Sequence, residues 1–245
     1  MPRAWLLPLC LLAAVACTPQ LPLVAPAGAA ADTSKWAAPD AALAAASAAM
    51  TQLQSLREKF VSTTYRNDEM FLGYDVERAY VAPDRRYERV EGRSPVEVVK
   101  GETVTIGPKF FKKVGDDGAW QALPPMEGFA WPANSFAFTG VTSTAWAGAE
   151  QIDGRTARVL MLTHAGTAAE RNEGWQFQTR LWIDPETNYM LKRETRGARQ
   201  EPTDPTTGKP MVQRYEATWT YTNHNASISI AEPPVAEAQP TAAAQ

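Results

Sequence analysis

Cysteine and histidine are both scarce in this chain of 245 residues, which holds two of each. Cys10 lies within an N-terminal apolar run and leaves with it on processing, so Cys17 stands alone and no internal disulfide can form. Stability must then come from a packed core. The histidines, His164 and His224, belong to no His-x-x-x-His or Cys-pair pattern, and Asp116-Asp117-Gly118 lacks the further oxygen ligands of a calcium loop. No metal and no other cofactor is expected. Gly-x-Ser-x-Gly and Gly-Lys-Ser/Thr are missing, and no carboxylate pair is set apart as an acid/base couple, so the chain reads as a non-enzyme. Charge of one sign is also missing. The formal net charge is −3, or −4 once Arg3 is removed, with both signs mixed along the chain. That balance leaves no basic stripe for nucleic acid. Beyond the first residues, no apolar run approaches the roughly 20 residues that span a bilayer.

What is present begins with Met1-Pro2-Arg3 and an apolar run from Trp5 to Val15, followed by Ala16-Cys17-Thr18. This has the form of a signal peptide, too short to cross a membrane as a helix. Two processing readings stay open. Ala14-Val15-Ala16 is a small-x-small cleavage site, and the same residues before Cys17 form a lipobox lacking its usual Leu. A cysteine at the first mature position favours lipidation of Cys17, palmitate among the chains, and hence a membrane anchor. Burial at about 0.8 kcal/mol per CH₂ makes such attachment strong. Thr18, where an Asp would retain the protein at an inner membrane, points to the outer membrane where there is one. The expected organisation is a signal at 1–16, a lipidated Ala/Pro-rich tether at 17–35, one domain at 36–233 and a disordered tail at 234–245. The protein is expected in the cell envelope, facing the periplasm or exterior.

Within the domain, Leu43, Met50, Leu53, Leu56 and Phe60 recur at helical spacing and predict a helix over 41–60. Met50 and Leu53 are candidates to line a ligand cavity. Strands are expected throughout the rest. Phe60–Tyr65 is β-branched and extended. Phe71–Val81 and Arg86–Val90 flank a Pro83-Asp84 turn. Val96–Val99 and Glu102–Ile106 flank Lys100-Gly101, and Phe110–Val114 meets Trp120–Leu123 across Gly115–Gly118. Glu150–Ile152 turns at Asp153-Gly154 into Thr156–His164, and Trp175–Ile183 turns at Asp184–Asn188 into Tyr189–Arg196. Val212–Tyr221 and Ser227–Ile230 complete the set. Successive hairpins with short turns predict an antiparallel meander curling into a barrel or half-barrel. Leu123–Trp146 interrupts it with prolines and aromatics. Phe129, Trp131, Phe136, Phe138 and Trp146 are therefore candidates for a lid or ligand contact, with plugging of an open barrel end as the plain alternative.

The segment RLWIDPETNYMLKRE at Arg180–Glu194 resembles the lipoprotein-carrier superfamily, which includes LolA, LolB and lipid-binding lipoproteins of the LppX/LprG type. YVAPDRRY at Tyr80–Tyr87, IDGRTARVLML at Ile152–Leu162 and YTNHNASISIAEP at Tyr221–Pro233 are similar to further family segments in the same order. The resemblance implies an unclosed antiparallel β-barrel packed around helices, with an apolar cavity for lipids or lipoprotein acyl chains, serving transport or reception. A continuous cavity beneath Phe129–Trp146 is expected on that reading. The other reading is an envelope sensor or interaction lipoprotein of the same fold that binds a protein partner.

Overall fold

The computed structural model describes residues 31–125, 136–203, 208 and 211–235. Cys17, Phe129 and Trp131 lie outside them. After a 3₁₀ turn at Thr33–Lys35 comes helix α1, Pro39–Thr51. Pro39 starts it where a missing N–H costs nothing, and alanines carry it at low entropic cost. Eleven strands follow: β1 Ser55–Arg66, β2 Glu69–Val81, β3 Arg85–Arg93, β4 Val98–Ile106, β5 Lys109–Val114, β6 Gln121–Leu123, β7 Val141–Ile152, β8 Arg155–His164, β9 Gln176–Ile183, β10 Met190–Glu201 and β11 Met211–Thr222. A short helix α2, Ala168–Asn172, lies between β8 and β9.

All ladders are antiparallel, in the order β6-β5-β4-β3-β2-β1-β11-β10-β9-β8-β7. Each arm is a plain meander, and the β1–β11 pair joins the arms. β6 and β7 are the two edges, and no ladder joins them among the described residues, so the sheet is unclosed. Its curvature follows from α1. The chain runs from α1 almost directly into β1, yet Thr144 Oγ1 on β7 donates to Asp40 in α1, and Trp146 Nε1 on β7 donates to Ala37 O just before it (2.9 Å). In a flat sheet β1 and β7 stand about 24 Å apart, while a helix is about 10–12 Å across. The sheet therefore curls around the helix as a half-barrel.

The main core lies on this concave side. Ala46 and Met50 of α1 and the following Leu53 meet Leu56, Tyr80, Leu160, Leu181, Met190 and Tyr221 from strands of both arms. On the convex side, Ile228 and Ile230 cover Ala79, Val104 and Phe111 of the first arm. Trp182, Val159 and Leu191 form a smaller cluster on the convex side of the second.

Four expectations need correction. The helix ends at Thr51, so Leu53 follows it and Leu56 and Phe60 belong to β1. Lys100-Gly101 is no turn: Gly101 pairs with both Val90 and Val114 inside a continuous β4. Trp146 lies within β7, opposite Leu160, rather than in an irregular stretch. Ser227–Ile230 packs as an extended segment outside the ladders. α2 was not anticipated, although Thr167 and Glu170 make a reciprocal capping box that the sequence displays.

Candidate functional site

Two cavities open on the concave face, one in each arm. The first, of about 480 Å³, is walled by Leu72, Tyr74, Val90, Val99, Thr103 and Val114. Register explains their convergence: Tyr74 stands opposite Gly92, Gly92 opposite Val99, and Gly101 opposite both Val90 and Val114, so inward-facing positions of β2 to β5 line one trough. The wall is chiefly aliphatic and wet. Tyr74 is 40% exposed, Val99 51% and Val114 61%. Lys100, Lys112, Glu97 and Glu102 supply a charged rim.

Between this trough and α1, the same face carries charge in paired form. Arg78 bonds Glu58 Oε1 through Nη1 and Glu88 Oε2 through Nε (2.5 Å each), and Arg86 bonds Glu88 as well. Burial alone pushes the Glu88 carboxyl up, but the hydrogen bonds and charges of these arginines outweigh it and hold it below its ordinary value.

The second cavity, of about 460 Å³, is aromatic. Trp175, Phe177 and His164 form a stack with successive ring centroids 5.5 and 5.3 Å apart. Phe177 lies directly over its cross-strand partner Gly197, where a Cβ would stand 2.5 Å from the ring. Tyr215, Trp219 and Phe138 complete the wall. Burial raises the Tyr215 phenol to about 12, keeping it a neutral donor.

Arg193 enters this aromatic wall from β10. Its guanidinium carbon lies 4.1 Å from the Trp219 ring centroid and 4.7 Å from that of Phe138. Its Nε donates to Thr195 Oγ1 (3.1 Å), which lies 2.8 Å from Thr179 Oγ1, and that oxygen lies 3.0 Å from His164 Nε2. Thr195 accepts from arginine, which only donates, and the two threonine hydroxyls carry the hydrogen-bonded chain on to the His164 ring. The other ring nitrogen, Nδ1, has no hydrogen-bond partner among the described residues. Burial first, and Arg193 second, push the His164 imidazole down to about 4, so it is uncharged at neutral pH.

The residues anticipated from the sequence divide. Phe138 lines the second cavity. Phe136 is buried in the core with its ring edge against Tyr221, centroids 5.8 Å apart. Met50 and Leu53 are fully packed core residues beneath α1 and line neither cavity. Trp146 meets Trp36 edge-on at 4.9 Å and ties β7 to the start of α1. Arg193, His164, Trp175, Phe177, Tyr215 and Trp219 are not singled out for ligand contact by the sequence, although period-two spacing and the register of β8 to β11 place them on one face. The cavity expected beneath Phe129–Trp146 falls largely on a segment outside the described residues. Among the described residues no cluster of His, Cys, Asp and Glu is placed to hold a metal, and no helix is long and apolar enough to cross a membrane.

No family model and no curated protein matches the sequence. Solved structures do. LprF from Mycobacterium bovis matches at a TM-score of 0.50 and 15% identity, over 80% of this chain and 98% of its own. The lipoprotein LppX from Mycobacterium tuberculosis matches at 0.47 and 16%, over 79% and 100%. A LolA superfamily protein from Nitrosomonas europaea matches at 0.28 and 14%, over 79% and 96%. The chain shares the fold of LprF, and at 15% identity the likeness extends to the fold alone.

Proposed function

We propose that the protein is an envelope lipoprotein, anchored through Cys17, that shelters the acyl chain of a lipid or lipoprotein on the concave face of its half-barrel. The observation that carries this reading is the first cavity: an open aliphatic trough of about 480 Å³, within the roughly 300–1,000 Å³ of ligand sites, whose Val99 and Val114 face solvent. Each methylene placed there contributes about 0.8 kcal/mol before association costs. No chemical step is needed, since shielding a tail from water suffices to move it across an aqueous compartment.

The test is native mass spectrometry with lipid extraction on the full chain carrying Cys17→Ala, so that the anchor itself supplies no lipid. A co-purifying acylated species bound one to one is the expected result. The intact chain should fractionate with membranes and the variant should be released from them. The partner-binding reading draws on a different observation: Val96, 93% exposed, with Val98, Met70 and Phe71 around the same end of the sheet. A bare mass, unchanged after incubation with vesicles, together with a stable protein partner, would favour that sensor reading instead.

A further inference from the structure

The second cavity holds a half-buried cation, Arg193, that no carboxylate pairs with among the described residues, whereas Lys112 in the first is exposed to solvent. On the same face Arg78 and Arg86 are bonded to Glu58 and Glu88, and Arg199 to Glu173 and Glu201. Arg193 has only its Nε engaged, on a neutral threonine, and its charge is flanked by two rings. Four of its five N–H donors remain for a ligand. The single carboxylate in the wall, Glu170, has Oε2 committed to the Thr167 N–H at 2.6 Å, in the cap of α2. A partly desolvated cation without a counter-charge is costly, and an incoming anion removes that cost while gaining a bidentate, charge-assisted contact.

We infer that the second cavity receives the anionic head, phosphate or carboxylate, of the amphiphile whose tail occupies the first, with Arg193 as the recognition residue. The inference rests on the acyl-chain reading above. The register makes one molecule reaching both sites feasible. Leu72 in the first wall stands opposite Thr64 on β1, and Thr64 stands opposite Tyr215 in the second. Two strand spacings put those walls about 10 Å apart on one face. His164, buried at 6% exposure, lines the same cavity as Arg193 and adds a neutral ring to its wall. The aromatic rings exclude water around the charge, which strengthens its contact with an anion.

The experiment titrates the full chain with dodecyl phosphate, dodecanol and inorganic phosphate, reading the fluorescence of Trp175 and Trp219. Dodecyl phosphate should bind about 10- to 100-fold more tightly than dodecanol, the worth of a charged hydrogen-bonded contact. Arg193→Gln should remove that preference, and Arg193→Lys, which keeps the charge but not the fork, should retain part of it. The wild-type comparison stands even if a variant fails to fold. Equal affinity for the two dodecyl ligands would overturn the head-group assignment and leave the acyl-chain reading in place. Binding of neither would defeat the acyl-chain reading itself. Inorganic phosphate binding as tightly as dodecyl phosphate would mark a site for a small free anion and overturn the amphiphile.

Discussion

His164 shows how a single side chain reports on its surroundings. Its Nε2 is hydrogen-bonded to the Thr179 hydroxyl (3.0 Å) and its ring is buried against Phe177, so the folded state favours the neutral form. Its pKa falls from an ordinary 6.5 to about 4, with burial as the leading cause. The unfolded chain therefore binds a proton in that window and the folded chain does not. The stabilisation is complete above about pH 6.5 and disappears as pH falls through about 4. The full effect is about 3 kcal/mol. His224, lowered by burial in the same direction, adds to it. Denaturant titrations at pH 7 and pH 4.5 should show this loss in the wild type and a smaller one in His164→Gln. An equal loss in both would mean that His164 is not the group responsible.

At the scale of elements, the helix-to-strand junction shows what the sequence disguises. Leu53, Leu56 and Phe60 are spaced three and four apart, as on a helix. In β1 the inward positions are Leu56, Glu58, Phe60 and Ser62, and a glutamate among them breaks the apolar alternation that signals a strand. Glu58 is tolerated there, 9% exposed, because Arg78 pairs with it across the ladder. Lys100-Gly101 misleads for a related reason: a glycine there reads as a turn, whereas the chain reverses at Ser94–Glu97, where Ser94 N donates to Glu97 O (2.8 Å). Alternation was legible where both faces are ordinary, as in β8, and failed where a buried ion pair or a glycine under an aromatic ring took an inward position. The cavity residues were missed for that reason too, since Arg193 and Gly197 look like solvent-face and turn residues until the register is known. Met50 is the opposite case. It is fully buried, and Met190 N approaches its sulfur at 3.3 Å, so its role is packing. Met50→Ala should cost about 2–5 kcal/mol in denaturant unfolding while dodecanol affinity holds. Lost affinity in a fully folded variant would return Met50 to the ligand site.

For the whole molecule, the decisive fact is the order of strands. Two meanders joined through β1 and β11 leave β6 and β7 as the edges of the sheet, and α1 packs on its curled face. Short-range turn signals such as Asp153-Gly154 and Pro83-Asp84 made the meanders legible. The β1–β11 closure is a long-range pairing that local pattern does not encode, and the division of the concave face into an aliphatic trough and an aromatic, cationic one depends on it. The proposed function places an acyl chain in the aliphatic trough. Its most direct test is isotope-filtered nuclear Overhauser spectroscopy on the full chain with labelled valine methyls and an unlabelled dodecyl ligand. The account predicts contacts from the chain methylenes to Val90, Val99 and Val114. Contacts confined to Val96 and Val98, or none at all with ligand bound, would contradict it.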